Sequence, residues 1–312
     1  MISLNETSAS QVTEFILIGL TNRPELQALL FVVFLLNYMA IVVGNMGLII
    51  VTSVDSHLHT PMYFFLRHLA FVDLGYSTAI GPKMLLGFIE DKNIISYNGC
   101  AIQLVFFVIF MATEIFILSA MAYDRYVAIC KPLYYRVIVS DSVCWLFVAF
   151  SYLYSTMMSL LITIKLFQSS FCRSNVIRHF YCDGLPLLSI ICSETSEIEL
   201  IIITFSAFNI VSSLLIVLIS YMLILGTILR MNSSEGRQKA FSTFGSHLTG
   251  VVIFYGTLVF MYLQPQSSHS FDSDKMASVF YTLVIPMINP LIYSLRNKEV
   301  KGALNRLFKK MI

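Results

Sequence analysis

The chain reads as an all-α membrane protein: a bundle of seven transmembrane helices, its N-terminus outside, with a short amphipathic C-terminal helix on the inner membrane surface. Three observations predict this. Hydrophobic residues make up 57% of the 312 residues and charged residues only 12%, where a soluble domain carries about 25% charge. A soluble core could not hide that much apolar surface, so lipid must solvate part of it. Seven apolar stretches stand near 27–52, 60–88, 100–123, 142–165, 198–229, 240–263 and 275–295, each near or above the ~20 residues that carry a helix across a bilayer. Runs such as 214–219 (LLIVLI) do not alternate, as barrel strands of about ten residues would.

Taken in order, the outer tail 1–26 comes first. Its first basic residue is Arg23, so no positively charged leader is visible and the first span is expected to target the chain itself. The apolar run 15–20 is too short to span. Asn5-Glu6-Thr7 is a glycosylation sequon in that tail, which marks Asn5. Asn232-Ser233-Ser234 also matches but falls inside, where it would go unused.

Charge sets the topology. The inner segments 53–60, 124–141, 230–239 and 296–312 hold twelve Lys/Arg. The outer segments 1–26, 83–99, 163–197 and 264–275 hold seven, and Arg67 lies in the second span. Basic residues gather on the cytoplasmic side. The net charge of +2 therefore reports membrane orientation, at the plasma membrane, and not a nucleic-acid partner. Cys100, Cys172, Cys182 and Cys192 fall outside, where disulfides persist, while Cys130 and Cys144 fall on or near the reducing side. Four outer cysteines allow three pairings. There is no repeat and no linker for a second domain, so 1–312 reads as one unit.

Polar residues inside the spans are expensive and usually functional. Asp73 lies mid-way along the second span, Glu114 along the third, and Asn289 at comparable depth in the seventh. Two neighbouring carboxylates would share a proton or recruit a cation such as sodium. From Cys100 to Arg125 is 25 residues, about 37 Å of helix at ~1.5 Å per residue, which puts Cys100 at the outer end and Arg125 at the inner end. Glu114, Leu118, Met121 and Arg125 follow 4-3-4 spacing and share a face. Asp124 would hold Arg125 until a conformational change frees it for a partner. Pro286 and Pro290 interrupt the seventh span, a kink where helices could rock. In the tail, Val300, Leu304, Leu307, Phe308 and Met311 form one apolar face beside Lys298, Lys301, Arg306, Lys309 and Lys310, a pattern for a helix lying on lipid.

These residues carry a resemblance over nearly the whole chain. The matching pieces are Glu14-Phe15-Ile16-Leu17, Gly44-Asn45, Pro61-Met62-Tyr63-Phe64-Phe65-Leu66, and the run 121–130 around Asp124-Arg125-Tyr126. Ser220-Tyr221, Lys239-Ala240-Phe241-Ser242-Thr243, Ser246-His247-Leu248, Phe254-Tyr255-Gly256-Thr257 and the run 286–293 follow in order. The chain resembles the odorant receptors, rhodopsin-like G-protein-coupled receptors, and within them the tetrapod-type (class II) branch. Phe244 departs from the pattern, since the family commonly has Cys there, and the difference bears on basal activity. The resemblance implies disulfides Cys100–Cys182 and Cys172–Cys192, and an ion site at Asp73, Glu114 and Asn289. It implies coupling through Asp124, Arg125, Tyr126, Tyr221, Lys239, His247, Asn289, Pro290 and Tyr293 to a stimulatory, olfactory-type G protein that raises cyclic AMP.

A ligand is expected in the outer half of the bundle, above Glu114. Gln103, Phe107 and Met111 recur every four residues on one face, flanked by Val108 and Ala112. Facing candidates, by the family's packing, are Phe205, Ser206 and Asn209, then Tyr255, Leu258, Val259 and Tyr262, then Val279 and Thr282. No carboxylate occurs between Gln103 and Thr113, so an amine lacks its counter-ion, and no Lys occurs between Met276 and Leu295, so a retinal Schiff base on the seventh span is excluded. An apolar wall with a few hydroxyls and one amide suits a small, neutral, mostly hydrophobic volatile. A non-volatile lipid or a peptide is the alternative ligand. A transporter would show inverted repeats, a channel a filter or charged rings, and a metalloprotease a His-Glu-x-x-His motif. None occurs, and no enzyme is expected. No cofactor is expected beyond the possible sodium ion.

Overall fold

The computed structural model describes residues 12–21, 23–171, 174–230, 248, 251–252, 254–259, 271–295 and 298–311. The long helices are α1 (Pro24–Val54), α2 (Pro61–Leu86), α3 (Tyr97–Cys130), α5 (Asp141–Gln168) and α7 (Ser196–Leu229). Short helices α4 (Tyr135–Ile138) and α6 (Gly184–Leu188) lie in the connections. Residues 254–259 are helical within the sixth apolar stretch. The seventh is built from α8 (Phe271–Val279), a π-turn at Phe280–Val284 and α9 (Ile285–Leu295), and α10 (Lys298–Met311) follows. Five helical stretches among the described residues are long and apolar enough to cross a membrane. α2 is less apolar because it carries Arg67, Asp73 and Lys83, yet it packs between α1 and α3.

Local chemistry sets the helix ends. Pro24 and Pro61 begin α1 and α2, where the missing N–H costs nothing and the fixed φ suits a first turn. Ser96 Oγ accepts from the Gly99 N–H at 3.1 Å and caps α3. α3 runs past Arg125 to Cys130 and stops where Pro132 follows Lys131, because the residue before a proline avoids the helical region. α3 is the central pillar: 72% of its most apolar stretch is buried, against 6% for α1. The exposed side of α1 shows Leu29, Val32, Leu36, Met39, Val43 and Ile50, an apolar face that only lipid solvates cheaply.

The bundle has a small sheet at its Cys100 end, beyond the all-helical expectation. β1 (Glu14–Leu17) pairs antiparallel with β2 (Ile94–Ser96) and parallel with β3 (Val176–Ile177), in the order β2-β1-β3. The apolar run near residue 15 is thus an anchor: Phe15 is fully buried, with rings of Phe171 at 5.2 Å and Tyr97 at 6.0 Å.

Both prolines of the seventh span free backbone carbonyls, and α1 and α2 supply the missing donors. Pro286 has no N–H for Thr282 O, which takes the Ser77 hydroxyl at 3.0 Å. Pro290 has none for Pro286 O, which takes Asn45 Nδ2 at 3.0 Å. In the π-turn the Ile285 N–H reaches Phe280 O, and the bypassed Tyr281 O takes the Tyr76 hydroxyl at 2.8 Å. Close approach assists: a Cβ on Gly44 would meet Pro290 Cβ at 3.1 Å.

α10 docks beside the α1–α2 connection. Val300 and Ala303 are fully buried, and Leu304 and Leu307 pack against the core. The side chains of Phe308 and Met311, also expected on the apolar face, lie outside the described residues. Arg306 Nη2 meets Asp55 Oδ2 at 2.7 Å, and the Tyr63 hydroxyl donates to Glu299 Oε2 at 2.6 Å. Desolvation pushes the Asp55 carboxyl up, but the hydrogen bonds from Arg306 and His57 outweigh it and hold the group below its usual range.

Candidate functional site

A cavity opens between α3, α7 and the helical residues 254–259. Met111, Ala112, Ile115, Phe205, Ser206, Asn209, Ile210 and Leu258 line it, and its free space is about 10 Å³. That is room for about one water molecule, so a ligand that binds here must push the lining side chains apart. Of the expected ligand contacts, the structure gathers Met111, Ala112, Phe205, Ser206, Asn209 and Leu258 around this one space. Ile115 and Ile210 complete the lining. Each lies four residues beyond an expected contact, Met111 or Ser206, so the helical repeat could have found them.

The other candidates have different neighbours. Gln103 sits beneath the Cys100–Cys182 disulfide. Its Nε2 donates to Ala79 O and its Oε1 accepts from the Cys182 N–H, both at 2.9 Å. Phe107 packs on Tyr181 at 5.1 Å and Tyr281 at 6.2 Å, and those two tyrosines share a hydroxyl–hydroxyl hydrogen bond. Val108 and Val279 are buried outside the cavity lining. The Thr282 hydroxyl donates to Ser278 O at 2.6 Å, and the Tyr255 hydroxyl to Ile115 O at 3.4 Å. Val259 is 36% exposed and turns from the cavity. Tyr262 lies outside the described residues.

Beside the cavity, starting from Glu114 next to Ile115 on α3, stands a buried polar cluster. Asn289 Nδ2 donates to Asp73 Oδ2 at 2.9 Å. Glu114 faces both Asp73 and Tyr76. Asp73 is fully buried, Glu114 1% exposed and Asn289 5% exposed. Asp73 Oδ1 and both Glu114 carboxyl oxygens have no hydrogen-bond partner. Three unmatched carboxylate oxygens in a buried space form a set that a hard cation or shared protons would satisfy.

At the far end of α3, Asp124 Oδ1 accepts from the Tyr135 hydroxyl at 2.6 Å. The expected Asp124–Arg125 ion pair is not among those of the described residues. Adjacent residues on a helix do not face each other, so the carboxylate meets the loop helix α4 instead. Tyr126 packs on Tyr123 at 6.0 Å, beneath Lys131 Nζ at 5.7 Å. Cys130 Sγ lies 3.1 Å from Thr227 Oγ1 and ties α3 to α7, on which Tyr221 is also buried.

A family model described as olfactory receptor matches residues 34–311. The chain belongs to the olfactory receptor family. It is 65% identical to olfactory receptor 8K3 of Homo sapiens over 303 residues, 97% of each chain. Olfactory receptor 8K1 of Homo sapiens is 64% identical over 306 residues, 98% of this chain and 96% of that one. Olfactory receptor 8U3 of Mus musculus is 59% identical over 298 residues, 96% and 93% respectively. The bundle is therefore that of a seven-helix, multi-pass membrane receptor, in a family of receptors and not of enzymes.

In this olfactory receptor several expected switch and modification positions lie outside the described residues: Asn5, Cys172, Lys239, Phe244, His247 and the side chain of Tyr293. Cys192 is disulfide-bonded, and Cys130 and Cys144 are free thiols.

Proposed function

We propose that this olfactory receptor binds small, neutral, mostly hydrophobic volatile molecules in the cavity between α3, α7 and residues 254–259, and activates a stimulatory, olfactory-type G protein to raise cyclic AMP. The observation that carries the ligand class is the lining: six apolar side chains with only Ser206 and Asn209 as polar members. A charged ligand would lose its hydration without a counter-ion there. The binding step is a population shift. An agonist must prefer the state in which the Arg125 end is open to its partner. In this reading the N-terminus and the Cys100 end lie outside the cell, and Arg125 and α10 lie inside against lipid. Asp73 and Glu114 would hold sodium or share protons, coupled through Asn289 to the kink of the seventh span.

The test is cyclic AMP in cells that co-express the receptor and the olfactory-type G protein, across a panel of volatiles, with surface labelling at the N-terminus. A dose-dependent rise absent from mock-transfected cells supports the proposal. Silence from a receptor that reaches the surface turns it toward a non-volatile ligand or another coupling partner.

A further inference from the structure

The cavity's polar atoms are not equivalent, and their difference selects a functional group. The inference rests on the cavity being the odorant site. Asn209 is 1% exposed. Its Nδ2 donates to the Phe205 carbonyl at 2.7 Å. A flipped amide would set oxygen against oxygen there, so the orientation is fixed by its neighbour. The Tyr154 oxygen of α5 lies on the donor side of the same amide, which interacts with it. Oδ1 has no hydrogen-bond partner. A buried acceptor left unmatched is costly, and a ligand that supplies a donor removes that cost.

Ser206 stands one turn away on the same helix face and also lines the cavity. Elsewhere on α7, Ser212 and Ser213 commit their hydroxyls to the carbonyls of Phe208 and Asn209, each at 2.6 Å. The Ser206 hydroxyl makes no such bond among the described residues, so it can donate into the cavity. The site thus offers one bare acceptor and, a turn away, one free hydroxyl.

We infer that this receptor selects small hydroxyl compounds, alcohols or phenols, whose O–H donates to Asn209 Oδ1 while the same oxygen accepts from Ser206 Oγ. Aldehydes, ketones, esters and ethers accept but cannot donate, so they leave Oδ1 unmatched. Carboxylates set a negative charge against it.

The test is the shift in melting temperature of the purified receptor, titrated with a linear or monocyclic alcohol and with its matched aldehyde or ketone and its methyl ether. This readout does not depend on which G protein couples. The alcohol is expected to bind about tenfold more tightly than either partner, the scale of one buried hydrogen bond. Asn209→Leu should remove that preference while leaving the ether unchanged, and Ser206→Ala should weaken the alcohol in the same direction. Ala112→Trp, which fills the cavity, separates the two readings. If binding survives it, the cavity is not the site. If binding is lost but alcohols never exceed their ethers, the hydroxyl inference is overturned. Failure of every alcohol to bind a folded receptor overturns it too.

Discussion

Ser77 Oγ donates to the Thr282 carbonyl at 3.0 Å, and that carbonyl is the one Pro286 leaves without a helical donor. Both residues are fully buried. The hydroxyl of Thr282 cannot serve, since it donates to Ser278 O at 2.6 Å. The kink of the seventh span is therefore held from α2, directly above the Asp73–Asn289 contact. A movement that straightens the kink must also release Ser77.

Ser77→Ala should strand that carbonyl and lower stability by about 1–2 kcal/mol, the cost of an unmatched buried acceptor. Pro286→Ala restores an N–H to the same position. In a double-mutant cycle on the purified receptor, the loss from Ser77→Ala should shrink when Pro286→Ala is present. Strict additivity of the two melting shifts would mean that Ser77 does not replace the missing N–H.

The kink itself was legible, because a proline inside an apolar span has one backbone consequence. Its partners were not. Asn45 lies 241 residues from Pro286, and Ser77 lies 205 from Thr282. Helical spacing says which residues share a face of one helix, not which helix that face meets. The same limit hid Tyr135 as the partner of Asp124. The stripe through Met111 was readable and Ser206 came from the family's packing, and one helical step beyond each reaches Ile115 and Ile210. The sheet left almost no trace, since β1 is four residues long and exists only because two connections fold back to pair with it.

Sodium should raise the melting temperature of the purified receptor relative to choline at equal ionic strength. Asp73 Oδ1 and both Glu114 oxygens lack partners, and binding to the folded state alone stabilises by about 1.4 kcal/mol when the ion stands at ten times its dissociation constant. Asp73→Asn and Glu114→Gln should each abolish the difference. A shift of the same size in the parent and both variants would place the effect elsewhere.

Tyr135→Phe should lower agonist-stimulated cyclic AMP without loss of surface expression. The Tyr135 hydroxyl occupies Asp124 Oδ1 at 2.6 Å. Without that hydroxyl the buried Asp124 keeps an unmatched negative charge next in sequence to Arg125, the residue proposed to meet the G protein. Restoring the parent level with Asp124→Asn in the Tyr135→Phe background would support this order of events, whereas unchanged signalling in Tyr135→Phe alone would remove Tyr135 from it.

His179 should make the receptor's stability depend on pH on the acidic side. It is 3% exposed, its Nε2 lies 3.1 Å from Ser278 Oγ, and its Nδ1 has no partner. Burial, and then the nearby charge of Lys275, hold its pKa down to about 3 from an ordinary 6.5. The folded state therefore keeps the ring neutral where the unfolded chain would protonate it. Above pH 6.5 neither state binds the proton and the full stability is present. As pH falls below that value the unfolded state gains protons first, so stability declines until pH reaches the folded value near 3. At one unit below the ordinary pKa the loss is about 1.4 kcal/mol. The melting temperature of the purified receptor should fall between neutral pH and pH about 5.5, and His179→Gln should flatten that part of the profile. Because β3, the Cys100–Cys182 disulfide and Ser278 of α8 meet around this ring, an unchanged profile in His179→Gln would show that the acid-sensitive group of this layer is another one.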